Sequence, residues 1–374
     1  MEVWDELMTL LAFLGWLGAI GALTVLAYPL ISLLRSLPKR RAHAAHRSEL
    51  PPVSVVLVGH NEAPYVRARV AGLLADPDLP VGSELIIVND ASTDDMANEL
   101  QAFRQDERVR IETTSSRSSK AASLNHAVAL ARHDILFFCD WRQPIDRGSL
   151  GHLLVEVLRT RTGVACARLV DDLGNVRGSW TRQLFAAMNR WDSRDGGCMN
   201  IHGACYAQRR SCFRPLPTDI IFDDLYVVAS THAQGMAVVQ VEEAVIHDVP
   251  FERYYGPERI MRLTRGLLLF LHNHHRLMWR MGMARCLRML HCKYGKLLLP
   301  FLLLMMVPWC MVALVQAPSL WAWVAAPGLL VLVVPWLRRW CWTFIRFQWY
   351  VGVAVLRFTL FGHRTTRWQK LHTH

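Results

Sequence analysis

An aspartate ends an apolar run in the middle of the chain. Residues 137–145 read FFCDWRQPI, so the run stops at Asp140, and Trp141, Arg142 and Gln143 follow at once. A carboxylate at the tip of a buried strand can bind a cation or accept a proton. A second acid two residues later would complete a metal-binding pair, but Arg142 stands there, and a guanidinium cannot bind a cation. Asp140 is therefore either a residue of a catalytic site or a polar strand end.

Similar transitions from strand to polar loop precede Asp140. The stretches SVVLVG, SELIIVND and VRIET each lead through a polar loop into a segment with helical periodicity. Strands that alternate with helices predict an α/β fold with right-handed crossovers and a mostly parallel sheet. Loops at the carboxyl ends of such strands form the ligand crevice. We expect these polar side chains in that crevice: His60, Asn61, Glu62, Asp90, Ser92, Asp94, Lys120 and Asp140.

Each of these residues also has a purely structural interpretation. The acids between Asp90 and Asp94 can cap a helix, Lys120 can be a solvated loop lysine, and Asp140 can cap a turn ahead of Pro144. Their order favours a ligand site, because each follows the end of a strand. The sequence contains neither GxGxxG nor GxxxxGK[ST], which excludes a dinucleotide-binding fingerprint and a P-loop.

Long apolar segments lie at both ends of the chain. Of the 374 residues, 52% are hydrophobic, more than a soluble globular domain needs. Residues 8–34 carry no charge and are long enough to cross a bilayer, and 297–316 and 319–336 are two more candidate spans. A fourth segment, 340–361, contains two arginines. Because an arginine at mid-bilayer costs about 2.5–3.5 kcal/mol, this segment is also a candidate for the membrane interface.

Basic residues concentrate beside the apolar segments. Five of them follow the first span within residues 35–47, which predicts that this side faces the cytoplasm. The net charge of +11 therefore indicates contact with anionic headgroups, and nucleic-acid binding is not expected. The nine cysteines include no CxxC, so we expect buried thiols rather than disulfides or zinc ligands.

A series of motifs resembles a known enzyme family. The motifs are VSVVLVGHNEA, IIVNDASTDD, KAASLNHA, FFCDWRQ, HGACYAQRR, IFDDLY and RIMRLTRG. They resemble the membrane-embedded family 2 glycosyltransferases, in the group of bacterial exopolysaccharide, cellulose, hyaluronan and poly-N-acetylglucosamine synthases. The resemblance covers roughly residues 50–300 and implies a GT-A fold, a Rossmann-like α/β domain with a mostly parallel sheet. The predicted parts are a transmembrane helix at 1–36, a cytosolic GT-A domain at 50–255, amphipathic interface helices at 256–296, and transmembrane or interfacial helices with a basic tail at 297–374.

The resemblance assigns donor-binding roles to single residues. It implies that Asn61, Glu62 and Asp90 hold the base and ribose of a nucleotide, and that Lys120 lies near its phosphates. Asp140 takes the place of the first acid in the family's DxD metal motif. The implied donor-binding set is Asn61, Glu62, Asp90, Lys120, Asp140, Arg142 and Arg262.

The resemblance also implies catalytic and acceptor-binding residues. Asp223 and Asp224, in FDDLY, match the family's acid–Asp motif and are the catalytic candidates. Asp224 would be the general base, because inverting sugar transfer requires a group that deprotonates the acceptor hydroxyl. His202, Gly203 and Ala204 lie where the acceptor approaches in the family.

One departure from the family concerns the QxxRW motif. Arg262 and Leu263 match the places of its last two residues, but Arg259 replaces the glutamine and Leu263 the tryptophan. That tryptophan helps to form the acceptor end of the polymer channel in processive synthases. The replacement therefore puts processive synthesis in doubt.

The predicted cofactor is Mg²⁺ or Mn²⁺, bound by Asp140. Asp140 can bind the cation alone while water and substrate phosphates complete the shell. Alternatively, Arg142 contacts phosphate directly and lessens the need for a metal. His247, in AVIHDV, is a candidate further ligand, although a structural histidine is the favoured interpretation.

These observations predict an inverting glycosyltransferase with a UDP-linked sugar donor and a growing polysaccharide or polyprenyl-linked acceptor. We expect a multi-pass protein of the bacterial inner membrane with a cytoplasmic catalytic domain, membrane lipids as neighbours, and an oligomer or a synthase partner subunit. The alternative is a catalytically silent member that binds nucleotide or scaffolds a synthase complex. Arg142 and the altered QxxRW motif favour that alternative, whereas the retained Asp223 and Asp224 oppose it. A transporter without catalysis has little support, because the spans carry no acidic pair.

Overall fold

The computed structural model describes residues 2–35, 50–170, 180–248, 256–317, 330–331 and 333–361. These residues form two compact units. The sheet domain takes in the described residues of Ser32–Phe251 and His274–Cys286. The helical unit takes in those of Met1–Ile31, Glu252–Asn273 and Leu287–Thr365.

Strands and helices alternate through the sheet domain, as the sequence predicts. After α1 (Glu2–Arg35), the first half consists of β1 (Ser54–Gly59), α2 (Ala63–Leu74), β2 (Glu84–Asn89), α3 (Met96–Gln101), β3 (Val109–Thr113), α4 (Lys120–Leu130) and β4 (Ile135–Cys139). The second half consists of α5 (Ser149–Val157), β5 (Thr162–Val170), α6 (Trp180–Asp192), β6 (Cys205–Arg209), α7 (Asp223–Ala233) and β7 (Ala237–His247).

Within the described ranges, seven strands form one sheet in the order β3-β2-β1-β4-β6-β5-β7. The pairs β1–β2, β1–β4, β2–β3 and β5–β7 are parallel. Strand β6 runs antiparallel to both of its neighbours, β4 and β5. The predicted mostly parallel α/β sheet is confirmed. Because β1, β2 and β4 are parallel, the loops that follow them meet at one edge.

The core lies on the faces of the central strands. Every residue of β2 and β4 is buried, which explains why these segments read as continuous apolar runs rather than alternating ones. Leu57, Ile87 and Phe137 have no exposed surface and pack in one cluster with Val66 of α2 and Leu153 of α5. Each such side chain contributes about 1.5–3 kcal/mol by its removal from water, so the core fixes where the strands end.

The loop after β4 is fastened to the core by Trp141. Its side chain is 4% exposed, and its indole Nε1 donates to the carbonyl oxygen of Val58 at 3.0 Å. Arg69 of α2 donates to the carbonyl oxygens of Trp141 and Gln143. Gly59 lies against the indole, where a Cβ would overlap Nε1. Trp141 is therefore a packing residue, and the two residues that flank it are held in place.

Four further helices follow: α8 (Pro257–Arg280), α9 (Met283–Met289), α10 (Gly295–Gln316) and α11 (Pro335–Phe361). Residues Leu290–Tyr294 form a π-helical turn between α9 and α10. By length and composition, three helices of the described residues can cross a membrane: Trp4–Arg35, Met283–Gln316 and Pro335–Phe361.

Two predicted spans, 8–34 and 297–316, lie inside the first two of these helices. The predicted span at 319–336 falls mostly outside the described residues, as do the basic segment 36–49 and the tail 362–374. The segment 340–361 lies within the single long helix α11.

Helices α1 and α10 pack closely through glycines. A Cβ on Gly15 would overlap the side chain of Trp309, one on Gly18 would lie 2.5 Å from the carbonyl oxygen of Leu302, and one on Gly21 would lie 2.7 Å from the Leu302 side chain. Small residues at such contacts are typical of helices that associate in a bilayer.

The close approach of Gly59 and Trp141 can be tested by substitution. We expect Gly59→Ala to cost about 1–3 kcal/mol of unfolding free energy, because the added methyl group must displace the buried indole. The measurement is the thermal unfolding midpoint of the purified protein in detergent. The matched control is Gly72→Ala on α2, where a Cβ would meet nothing within 4 Å. That variant should unfold at the same temperature or higher, and equal midpoints for the two variants would contradict the packing at Gly59.

Candidate active site

A small cleft lies at the carboxyl edge of the sheet. Its lining residues are Val56, Val58, Lys120, Leu124, Phe138, Cys139, Asp140, Gly203, Tyr206 and Asp223. The antiparallel register of β4 and β6 pairs Cys139 with Cys205, and Asp140 N donates to the carbonyl oxygen of Ala204 at 2.9 Å. The sheet thereby brings Asp140 beside the segment 202–204.

Lys120 connects two carboxylates across this cleft. Its Nζ lies 3.4 Å from Oδ1 of Asp140 and 3.4 Å from Oδ2 of Asp223. Lys120 is the first residue of α4, directly after Ser119, whose hydroxyl caps the helix by accepting from Ala122 N at 3.2 Å. Polar residues of three separate segments are thus gathered around one ammonium group.

The charges in the cleft shift the pKa values of Lys120 and Tyr206. Burial lowers the pKa of Lys120, but the charges of Asp140 and Asp223 outweigh it and raise that pKa well above its usual value. Burial, followed by the charge of Asp223, raises the pKa of the Tyr206 hydroxyl well above its usual value. The cleft therefore contains a protonated lysine and a neutral tyrosine at neutral pH.

Asp223 and Asp224 begin helix α7. Asp223 Oδ1 accepts from Asp224 N at 3.0 Å, and Asp224 Oδ1 accepts from Leu225 N at 2.7 Å. Carboxylates are favourable at this position, because a helix N-terminus carries partial positive charge. A Cβ on Gly203 would lie 3.9 Å from the Cβ of Asp224, so Gly203 borders both acids.

Asp90 is held by the loop after β3. Its Oδ1 accepts from Ser118 N at 2.9 Å, from the Ser118 hydroxyl at 2.9 Å and from the Thr114 hydroxyl at 3.2 Å. Its Oδ2 has no hydrogen-bond partner among the described residues. The side chain is therefore oriented by one oxygen, while the other remains available.

Asn61 ties the loop after β1 to the loop after β2. Its backbone is left-handed, with φ of 59°, and its N donates to the Ser92 hydroxyl at 2.9 Å. Its side-chain Oδ1 accepts from Thr93 N at 2.8 Å, and its Nδ2 donates to the Thr93 hydroxyl at 3.1 Å. The side chain of Asn61 thus shapes the wall of the crevice.

Arg142 and Glu62 form an ion pair beside Asp140. Arg142 Nε donates to Glu62 Oε2 at 2.7 Å, and the two side chains are 26% and 9% exposed. The guanidinium carbon of Arg142 also lies 5.6 Å from the centre of the Tyr65 ring. Burial lowers the pKa of Arg142, but the hydrogen bond and charge of Glu62 raise it on balance.

Asp140 is the carboxylate that is predicted to bind a divalent cation in this cleft. The Asp140 side chain is 34% exposed, its Oδ1 lies 3.4 Å from Lys120 Nζ, and its Oδ2 has no hydrogen bond to a described residue. No group of three or more His, Cys, Asp or Glu side chains within the described ranges is arranged to hold a metal ion. Nε2 of His247 lies 2.8 Å from Asp146 Oδ1. The donor set fits a hard cation that takes one protein oxygen and completes its shell elsewhere.

The sheet domain brings together most of the predicted site residues. Those at or beside the cleft are Lys120, Asp140, Asp223, Asp224, His202, Gly203 and Ala204, and those in the adjoining loops are Asn61, Glu62, Asp90 and Arg142. Arg262 lies on α8 in the helical unit, where burial and the neighbouring Arg259 lower the pKa of its guanidinium.

Sequence reasoning missed three residues that shape the site. Tyr206 lines the cleft, Ser118 orients Asp90, and Arg69 clamps the loop after β4. Tyr206 lies within the motif HGACYAQRR, which could have identified it. Arg69 gave no signal, because a lone arginine in an amphipathic helix looks like a solvated residue. All nine cysteines lie in the described ranges as free thiols; seven are buried, and Cys310 and Cys341 are partly exposed.

Comparison by sequence gives a matching family model and a similar protein. Residues 54–216 match the family model for Glycosyl transferase family 2. The chain is also 28% identical over 105 residues to the succinoglycan biosynthesis protein ExoU of Rhizobium meliloti (strain 1021). That match takes in 28% of this chain and spans 30% of the length of the relative.

The fold has counterparts among solved structures. The mannosyltransferase PcManGT from Pyrobaculum calidifontis, in complex with GDP-Man and Mn²⁺, has a TM-score of 0.69 at 19% identity, covering 94% of this chain and 100% of that chain. TarS 1-349 of S. aureus, in complex with UDP-GlcNAc, has a TM-score of 0.44 at 14% identity, covering 68% of this chain and 72% of that chain. The likeness to PcManGT concerns the fold. The family match spans β1 to β6, so this part of the sheet domain is similar in sequence to Glycosyl transferase family 2, and the domain has a GT-A fold like that of PcManGT.

Proposed function

We propose that the enzyme transfers a sugar, with inversion, from a nucleotide donor to a polysaccharide or a polyprenyl-linked acceptor. The observation that carries this proposal is the Lys120 ammonium, 3.4 Å from a carboxylate oxygen of Asp140 and 3.4 Å from one of Asp223. The reaction requires positive charge near a departing diphosphate and a carboxylate near an acceptor hydroxyl. Both requirements are met at one edge of the sheet.

The nucleoside is assigned to the loops after β1 and β2. Asp90 keeps Oδ2 without a partner among the described residues, and a carboxylate can accept from a base N–H or a ribose hydroxyl. Asn61 supports this wall through its bonds to Thr93. We assign a UDP-linked donor from the family resemblance, while PcManGT is a relative in fold that binds GDP-Man.

The diphosphate is assigned to Lys120 and Arg142, which contribute positive charge, while the donor-binding role of Arg262 stays a prediction from the family resemblance. A divalent cation bound at Asp140 would add further charge to the departing diphosphate and would take its remaining ligands from phosphate and water. Asp140 Oδ2, which makes no hydrogen bond to a described residue, is consistent with this role. Because the protein offers a single ligand, we expect cation and donor to bind together.

The general base is assigned to Asp224. The family resemblance favours Asp224 over Asp223, whose Oδ2 lies 3.4 Å from the Lys120 ammonium. In the transfer, the acceptor oxygen bonds to the anomeric carbon while the bond from that carbon to the diphosphate breaks. Asp224 takes the hydroxyl proton, and the diphosphate leaves with the bonding electrons. Charge near the leaving group lowers the barrier.

The acceptor is assigned to the segment of His202, Gly203 and Ala204. Gly203 lines the cleft without a side chain, which leaves room beside Asp223 and Asp224. The relative ExoU is named for succinoglycan biosynthesis. Exopolysaccharide biosynthesis is therefore the proposed context, with either the growing polymer or a lipid-linked sugar as the acceptor.

An assay with a panel of donors identifies the donor and tests the general base. Purified protein in nanodiscs is incubated with a panel of UDP- and GDP-sugars and a polyprenyl-linked acceptor, and nucleoside diphosphate release is measured. We expect release with one donor class and at least a 100-fold lower rate for Asp224→Asn, since a positioned base contributes about 10²–10⁴-fold. The affinity of Asp224→Asn for the donor should stay within a few-fold of wild type. Near-normal turnover in this variant would exclude Asp224 as the base. If none of the donors tested releases nucleoside diphosphate, the result would support the alternative of a catalytically silent protein.

A second prediction concerns the cation. Donor affinity measured by calorimetry should fall in EDTA and recover with Mn²⁺ or Mg²⁺, because phosphate and Asp140 would share the ion. Asp140→Ala should bind the donor weakly and with no response to metal, whereas Arg142→Ala should keep the metal response. Wild-type affinity that is the same in EDTA and Mn²⁺ would refute the assignment of a cation to Asp140.

The membrane arrangement is a third proposal with its own test. We propose an inner-membrane protein whose sheet domain faces the cytoplasm, on the strength of the three apolar helices and the basic residues after α1. Val81→Cys, at a residue 98% exposed in the sheet domain, should react with a membrane-impermeant maleimide only after the cells are opened. Trp4→Cys, near the other end of α1, should react in intact cells.

Both variants are made in a background where the partly exposed Cys310 and Cys341 are replaced by serine. Labelling of Val81→Cys in intact cells would reverse the proposed orientation.

A further inference from the structure

Arg142 stands at the position where a two-acid metal motif has its second carboxylate. Trp141 between Asp140 and Arg142 is buried, and its indole is bonded to Val58. The loop is further fixed by Arg69, which donates to the carbonyl oxygens of Trp141 and Gln143. The backbone at Arg142 is therefore as firmly placed as the backbone at Asp140.

Glu62 fixes the side chain of Arg142 at one end. A guanidinium carries five N–H donors, and Arg142 uses the one on Nε to bond Glu62 Oε2 at 2.7 Å. Its two terminal nitrogens have no partner among the described residues, and 26% of the side chain remains exposed. The fork of terminal N–H groups is thus oriented and accessible.

The Glu62 carboxylate is poorly placed to bind a nucleoside directly. Its side chain is 9% exposed and it already accepts the charged hydrogen bond from Arg142. Tyr65, one turn into α2, lies under the guanidinium and limits its movement. This geometry therefore favours a role for Glu62 in supporting Arg142 over a direct contact between Glu62 and a base or ribose.

We infer that Glu62 is a positioning residue that holds Arg142 by Nε, so that the terminal guanidinium nitrogens bind the donor's diphosphate in place of a second metal-binding acid. This inference rests on the proposed function, because it takes the ligand to be a nucleoside diphosphate. Glu62 would then support Arg142, whereas the family resemblance implies that it contacts the nucleoside. It also explains how a site with one metal-binding acid can hold a diphosphate firmly, since a planar fork matches two phosphate oxygens at once.

The inference is tested by a double-mutant cycle on binding rather than on activity. The full chain in detergent is titrated with UDP and GDP, and with uridine and guanosine, in Mn²⁺ and in EDTA. The variants are Glu62→Gln, Arg142→Ala, the double substitution, and Arg142→Lys, which keeps the charge but loses the fork. The matched control is the exposed pair Arg110 and Glu112 on β3, changed to alanine and glutamine.

Arg142→Ala should weaken diphosphate binding about 10- to 100-fold, the usual range for charged hydrogen bonds, and should leave nucleoside binding unchanged. Arg142→Lys should recover little, because a lysine cannot both bond Glu62 and present a fork. Glu62→Gln should lower the affinity for UDP and GDP by at least about 3-fold and leave the affinity for uridine and guanosine unchanged. In the double variant the loss should equal that of Arg142→Ala, since Glu62 acts only through the arginine. The control pair should bind like wild type.

Three results would overturn the inference while leaving the proposed function intact. These are unchanged diphosphate affinity in Arg142→Ala, losses that add in the double variant, and an equal loss of nucleoside affinity in Glu62→Gln. An equal loss of nucleoside affinity in Glu62→Gln would show that Glu62 contributes to nucleoside binding. If wild-type protein binds neither UDP nor GDP, the proposed function fails and the inference fails with it.

Discussion

The ammonium of Lys120 is the interaction on which the cleft depends. Asp140 and Asp223 come from β4 and α7, which are far apart in the sequence, and their like charges would repel each other at the edge of one cleft. The Lys120 ammonium, 3.4 Å from an oxygen of each acid, offsets that repulsion. Because a ligand diphosphate would compete for the same ammonium, its arrival would redistribute the charge of the whole cleft.

Placement of this cation and its acids is a consequence of packing. Asp140 is fixed because Trp141 fills the space beside Gly59 and bonds Val58 on β1. Lys120 is fixed because a serine cap starts α4 one residue earlier. A cleft built from helix starts and strand ends inherits the rigidity of the core, which is what preorganised electrostatic catalysis requires.

The sequence was a good guide wherever the signal was local. Continuous apolar runs and polar loops predicted the parallel strands and the edge where Lys120 and Asp140 meet. The antiparallel strand β6 and the pair of Glu62 with Arg142 could not be predicted, because they depend on which distant loops become neighbours. The side-chain bonds of Asn61 were hidden for the same reason, since its partners lie 32 residues away.

Arg142 gives the site a different balance of charge from that of a two-acid metal motif. With an acid at that position, the free protein would hold a cation through two carboxylates. With Arg142 neutralised by Glu62, the free protein offers Asp140 alone, which is already paired with Lys120. A cation should then gain most of its ligands from the diphosphate, so that neither binds tightly without the other. The cation would therefore compete with Lys120 for Asp140, and the diphosphate would compete with Asp140 for Lys120, while the fork of Arg142 stays held by the buried Glu62.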